Sequence, residues 1–447
     1  MAQAMSTADR PQGDLQRVIG VGGLGFSVAN YIVGAGIFGL PGLAAAIMGP
    51  AAVLGYLICA FLILLVGLCY AETGSRVVSN GGSYAYARAA FGPTAGGVAA
   101  IMIIVSYCAA TAAVANLMID TLATLLPALG AMPWRPALLI VVFALLALAN
   151  IRGASSGSRL SVLLAVLKLT PLVLLVACGL FVVRGTNLQW HGLPTSTSIG
   201  QGSVLLFYAF MGGEGALGVS GEVVDPTRTI PRAILLAIAL VAALFIGLQV
   251  VAQGVLGAAL PNSTSPLVAA AGQVFGQWGG RALVVTTLLS VGGYLSADML
   301  CTPRILHAVA ERGQLPRAMM AVHPRLGTPA VAIVVYAVLC ALLASSGSFQ
   351  PLVVLASATT LVLYLIIACG LLRLRAHGVR SSDAPFVAPG GKYLPLAVIV
   401  IVGWLLTTLA RDELIASFGL AIAAAVCYAL HTARAARRAT TEPPNGG

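Results

Sequence analysis

Charge is scarce in this sequence: only 8% of its 447 residues are Asp, Glu, Lys or Arg, against roughly 25% in a soluble globular domain. Mean hydropathy is +0.98, and 59% of the residues are hydrophobic. An ordinary water-soluble globule is excluded, and an integral membrane protein in a lipid bilayer is indicated. Long polar stretches are also missing, so no separate soluble domain is expected. The eight cysteines (Cys59, Cys69, Cys108, Cys178, Cys301, Cys340, Cys369, Cys427) lie within or at the end of apolar runs, without a Cys-x-x-Cys pair. They read as small core residues, with neither disulfide nor metal spacing. The five histidines are scattered over loops and span ends. No metal site or cofactor is expected from them.

What the chain has in abundance is long apolar runs. Stretches of about 17–25 apolar residues suffice to cross a bilayer, and about twelve are present: 18–47, 50–70, 94–125, 136–150, 160–183, 201–219, 231–257, 281–303, 328–346, 351–372, 393–410 and 413–433. The first is too long for a cleaved signal peptide. With residues 1–17 placed in the cytoplasm, the inner segments carry nineteen Lys and Arg, and the outer loops carry four, Arg135, Arg184, Arg281 and Arg411. Such a bias is the positive-inside pattern of a multi-pass protein of the cytoplasmic membrane, with both tails, 1–17 and 434–447, inside. The net charge of +11 is therefore topology, and nucleic acid is not expected as a partner.

Two glycine clusters interrupt these runs, Gly34-Ala35-Gly36 in the first and Gly212-Gly213-Glu214-Gly215 in the sixth. Broken spans at corresponding places in two halves point to the substrate site of a secondary transporter, because unwound backbone lends N–H and C=O groups to a ligand at mid-membrane depth. Five spans per set reverse the direction of the second set. The expected fold is thus all-α, an inverted five-plus-five repeat (18–183 and 201–372) with helices 1 and 6 broken and two further helices at 393–433. Pro41 is expected early in the half-helix after the first break, where a missing N–H costs least. Read alone, the glycines equally fit close helix packing.

Several stretches carry a resemblance. Val33-Gly34-Ala35-Gly36-Ile37-Phe38-Gly39-Leu40-Pro41 resembles the first-helix motif of amino acid permeases of the amino acid–polyamine–organocation superfamily. Four more follow in the family's order: Glu72-Thr73-Gly74-Ser75-Arg76 with Gly81-Gly82-Ser83-Tyr84; Phe207-Tyr208-Ala209-Phe210-Met211-Gly212-Gly213-Glu214; Gly221-Glu222 with Asp225-Pro226 and Ile230-Pro231-Arg232; and Arg304-Ile305-Leu306-His307-Ala308 with Gly313-Gln314-Leu315-Pro316, His323-Pro324 and Gly327-Thr328-Pro329. The resemblance covers residues 33–329 and implies alternating-access transport of an amino acid. It places the substrate carboxylate on the amides of Gly34, Ala35, Gly36 and Ile37. The ammonium would meet carbonyls near Ile32, Val33, Phe207 and Phe210, with Tyr208 or Phe210 covering the substrate. Gly212 and Glu214 belong to the second break, where Glu214 is either a cap on freed N–H groups or a proton or occlusion site.

Lys168 lies nine residues past Arg159, roughly 13 Å into its span. The resemblance equates it with a lysine whose ammonium occupies the sodium position of sodium-coupled cousins, implying sodium-independent transport, proton-coupled or by exchange. Asp298, six residues before Arg304, is roughly 9 Å from the same end, so a Lys168–Asp298 pair is feasible. Ser296 is about 200° around that helix from Asp298, so only one of the two, the acid or the serine, can face Lys168. Relatives usually offer a hydroxyl at this depth, so the acid is a departure. Asp120 reads as a solvated rim residue. Met211, Ala216 and the run Ala109–Ala115 suggest a small or apolar side-chain pocket and hence a neutral amino acid. A cationic amino acid or a polyamine is the second expectation. A channel would need a continuous polar lining, and an enzyme a cluster of acid–base or nucleophilic groups; neither is present in the sequence pattern. A non-transporting sensor on the same scaffold is separable only by a transport assay.

Overall fold

A computed structural model describes residues 20–77, 82–152, 158–190, 192–212, 226–311, 315–379 and 386–415, with isolated positions beyond 417. All regular elements among the described residues are helical. The chain is a multi-pass membrane protein, with six helical segments long and apolar enough to span and three shorter apolar helices.

The first apolar run is interrupted as its glycines imply: α1 (Val21–Ile32) stops, and α2 (Gly36–Met48) begins after three non-helical residues. Pro41 is then the sixth residue of α2, not an early one. It frees the Ile37 carbonyl from its helical partner. α3 (Ala52–Arg76) returns across the membrane, and α4 (Gly82–Phe91) is a short helix where only a loop was expected. Its Tyr84, Ala85, Ala87 and Ala90 are buried, a one-sided pattern too short to register as a span. α5 (Pro93–Ala123), α6 (Trp134–Ile151) and α7 (Ser158–Gly179) follow. α6 is apolar on every side, yet only Leu139, Phe143, Ala147 and Asn150 are buried. These recur every three to four residues and form one stripe, which packs on α11 (Ala330–Ser346).

α8 (Ser196–Phe210) starts at Thr195, whose side chain accepts the Ser198 N–H at 3.1 Å, a standard N-cap. It ends at Phe210; Met211 is extended, and Gly212 has φ +100°, a conformation that favours glycine. α9 (Pro226–Leu256), α10 (Pro266–Glu311), α12 (Phe349–Ala376) and α13 (Tyr393–Thr407) complete the described helices. α10 is longer than the expected span 281–303 because a preceding helical segment joins it through Gly276, at φ +70°. Two groupings set the architecture. α2 and α3 pack on α8, and α1 and α3 on α9, while α5 packs on α10, α11 and α12.

Candidate functional site

The first break is built by two short-range hydrogen bonds. Val33 closes α1 by donating to the Ala29 carbonyl at 2.9 Å, and the Gly34 N–H turns back to the Ile32 carbonyl at 2.7 Å. With φ −71° and ψ 78°, Val33 is the centre of an inverse γ-turn. α2 then starts with Ala35 in helical conformation and Phe38 donating to the Ala35 carbonyl at 3.2 Å. The amides of Ala35, Gly36 and Ile37 consequently have no backbone acceptor among the described residues. Ile32, Val33, Ala35, Gly36 and Ile37 are all buried, and Gly34 is partly open. Free N–H groups at the positive end of a helix form an anion site, and burial removes competing water.

The glycines divide the work differently from the expectation. A Cβ on Gly36 would lie 2.9 Å from Tyr208 Cδ1 and 3.3 Å from Ala209 Cα, whereas one on Gly34 meets nothing closer than the Ile32 carbonyl at 3.9 Å. Gly36 thus lets α8 press against α2. Gly34 borders the open space. Tyr208, in the last turn of α8, lies over Gly36, donates its hydroxyl to the Ala110 carbonyl at 2.9 Å and meets the Phe349 ring edge-on at 6.4 Å. Phe349 in turn covers Gly39 of α2. Tyr208 is therefore the aromatic beside the break. The Phe210 side chain is not, because it packs between Tyr56 and Phe245, and Phe207 packs on Tyr364. Gly212 is placed just past the end of α8; Glu214 and Ala216 lie outside the described residues.

Lys168 donates from Nζ to the Asn30 carbonyl at 2.9 Å, two residues before α1 ends. Its ammonium thus sits on the negative, carbonyl end of the first half-helix. The feasible pair with Asp298 is not formed. Asp298 instead accepts from Thr111 Oγ1 at 2.6 Å and Tyr336 OH at 2.5 Å through Oδ2, and from Thr302 Oγ1 at 2.7 Å through Oδ1. Depth along two helices can agree while rotation about their axes turns the side chains to different neighbours. Ser296 is exposed and belongs to neither group. The run Ala109–Ala115 is fully packed rather than lining a pocket, its small side chains permitting close approach of α5 to its neighbours. Asp120, at the rim, is held by Arg135 at 2.6 Å.

A second polar cluster lies at the end of α3, inside the Glu72–Arg76 motif, which the sequence singles out only as part of the resemblance and with no partner indicated. Glu72, with no exposed side-chain surface, receives Arg76 Nε at 2.9 Å, Arg375 Nε at 2.8 Å, Arg375 Nη2, and the Ala388 amide at 2.8 Å. It ties α3 to α12 and to the segment before α13.

The family model for amino acid permeases matches residues 20–431. The chain belongs to this family. It is 28% identical over 402 residues to cationic amino acid transporter 4 of Mus musculus, covering 84% of this chain and 61% of that one. It is 27% identical to the branched-chain amino acid permease BcaP of Lactococcus lactis (81% and 83% covered). It is 29% identical to the serine/threonine exchanger SteT of Bacillus subtilis (68% and 71% covered). The chain thus spans about three-fifths of the mouse relative's length. In this permease the matched region includes the break between α1 and α2, the end of α8, Lys168 and Asp298.

Proposed function

We propose that this permease is a secondary active transporter that carries a neutral amino acid across the cytoplasmic membrane without sodium, with both tails inside. The observation that carries the reading is the set of buried amides of Ala35, Gly36 and Ile37 at the start of α2, without a backbone acceptor among the described residues and suited to an α-carboxylate. The carbonyls at the ends of α1 and α8, around Ile32, Val33, Phe207 and Phe210, would receive the α-ammonium. Relatives named as amino acid transporters rather than enzymes support the same reading.

Neutral substrates are favoured because the carboxylates inside the described spans already hold partners, Glu72 two arginines, Asp120 Arg135 and Asp298 three hydroxyls, while Glu311, at the end of α10, is beside His307. Sodium independence is supported by the ammonium of Lys168 on the α1 carbonyl end, where a bound cation would otherwise compensate that partial charge. The expected inverted five-plus-five repeat supplies the two states. The test is uptake by the purified chain in proteoliposomes against a panel of labelled amino acids. Uptake of a branched-chain or small neutral amino acid with weak competition by arginine is expected. Binding without uptake would assign a sensor, and preferential arginine uptake would assign the cationic class.

A further inference from the structure

Two carboxylates within the spanning helices keep contrasting company. Every partner of Glu72 is a guanidinium or a backbone amide, groups that donate and cannot accept. A proton on Glu72 would face only donors, so this site holds an anion. Among the described residues, every hydrogen-bond partner of Asp298 is a hydroxyl. Hydroxyls donate and accept by rotating the O–H, so the same cage fits a carboxylate receiving three bonds or a carboxylic acid that gives one of them back. Thr111 and Tyr336 are themselves 3.2 Å apart, and the switch needs no heavy-atom rearrangement.

Among the described residues no cation forms an ion pair with Asp298. The ion pairs among the described residues involve Glu72, Asp120 and Glu311. Titratable groups around it are Tyr294 and Cys301 on its own helix, Tyr336 and Cys340 on α11, Tyr208 on α8, and Tyr107 and Cys108 on α5, while Arg304, six residues on along the same helix, is exposed and donates to the Leu300 carbonyl. The cation of α7, Lys168, is engaged by Asn30. α2 carries no titratable side chain, and the charges of α6 and α9, Arg135, Arg228 and Arg232, lie near the ends of those helices. An intramembrane acid without a countercharge is costly as an anion, and a proton removes that cost.

A short path joins Asp298 to the substrate break. Tyr208, which lies over Gly36, bonds to Ala110, and the next residue on α5, Thr111, bonds to Asp298. We propose that Asp298 is the proton-carrying group of the transport cycle, an assignment that rests on the transport reading above. The carboxylate takes one proton from water on the side of entry, holds it as a neutral acid while the site is loaded, and releases it to water on the other side.

Proteoliposomes of the full chain test this with two measurements: exchange of labelled for unlabelled substrate without a gradient, and accumulation driven by an inward proton gradient. One pH unit drives about tenfold accumulation at one proton per substrate, the equivalent of about 1.4 kcal/mol. Wild type is expected to show both activities, and Asp298→Asn to keep exchange while losing accumulation above equilibration. Tenfold accumulation by Asp298→Asn overturns the assignment. So does a wild type that exchanges without responding to the gradient, which leaves transport itself intact. A wild type that neither exchanges nor accumulates any amino acid of the panel defeats the transport reading and the proton site with it. If Asp298→Asn does not fold, Tyr336→Phe decides, because it keeps the acid and removes one donor. A pH profile of uptake displaced to higher pH supports the assignment, and an unchanged profile overturns it.

Discussion

Replacing Glu72 by Ala would leave Arg76 and Arg375, whose side chains are only 9% and 16% exposed, facing each other without their shared anion. Removing one partner of a buried ion pair costs about 3–5 kcal/mol, and the lost amide bond from Ala388 adds to it. Arg375→Met is milder, since Arg76 still pairs with the carboxylate; hydrogen bonds to charged groups are each worth about 1.5–3 kcal/mol, and a loss near one such bond is expected. Removing both Glu72 and Arg375 strands only Arg76. The double variant should therefore lose less than the sum of the singles, with a coupling energy of about 1–3 kcal/mol. Denaturant unfolding of the purified chain in detergent, followed by tryptophan fluorescence, measures all three. Because the pair is buried, the losses should persist at high salt, where exposed pairs are screened. Additivity within about 0.5 kcal/mol, or a Glu72→Ala loss below that figure, would refute the claim that this cluster joins α3 to α12.

Gly36→Val should lower stability as well as substrate affinity, because its side chain meets the Tyr208 ring and the Ala209 backbone, whereas Gly34→Ala should fold normally and weaken binding alone; thermal melts beside binding isotherms separate the two. A Gly36→Val protein of wild-type stability would contradict the packing role. Replacing sodium by choline should leave uptake unchanged, and Lys168→Met should abolish uptake or render it sodium-dependent. A steep sodium requirement in wild type would remove Lys168 from the cation position.

Much of this was readable from the chain because membrane burial simplifies the problem. Apolar runs locate the described helices, the first glycine cluster marks the break between α1 and α2, and the second begins where α8 ends, since little else in an apolar run stops a helix. Lys168 and Asp298 could be placed in depth by counting residues from the nearest arginine, but depth says nothing of rotation about the helix axis. Their partners, Asn30 for one and Thr111, Tyr336 and Thr302 for the other, are tertiary facts. Tyr336 lies in the apolar string Val334-Val335-Tyr336-Ala337-Val338 and reads there as one more core aromatic. Arg375 is 303 positions from Glu72, and no local pattern links them. The alanines of α5 misled for a related reason, since small residues serve a pocket wall and a close helix crossing equally well.

Consecutive positions on α5 suggest that binding and coupling can be separated by mutation. Neighbouring residues on a helix point about 100° apart, and here the Ala110 carbonyl receives Tyr208 from one side while the Thr111 side chain serves Asp298 on another. Tyr208→Phe removes a single neutral hydrogen bond of about 0.5–1.5 kcal/mol, because the Ala110 carbonyl keeps its helical partner. Substrate affinity should fall by up to about tenfold, with the response to a proton gradient unchanged. Thr111→Val keeps the shape of the helix surface and withdraws one hydroxyl from the Asp298 cage. Affinity measured without a gradient should then stay near wild type, while gradient-driven accumulation falls. The reverse pattern, with Tyr208→Phe uncoupling and Thr111→Val weakening binding, would mean that α5 does not divide the two roles in this way and that Tyr208, rather than the hydroxyl cage, senses the proton.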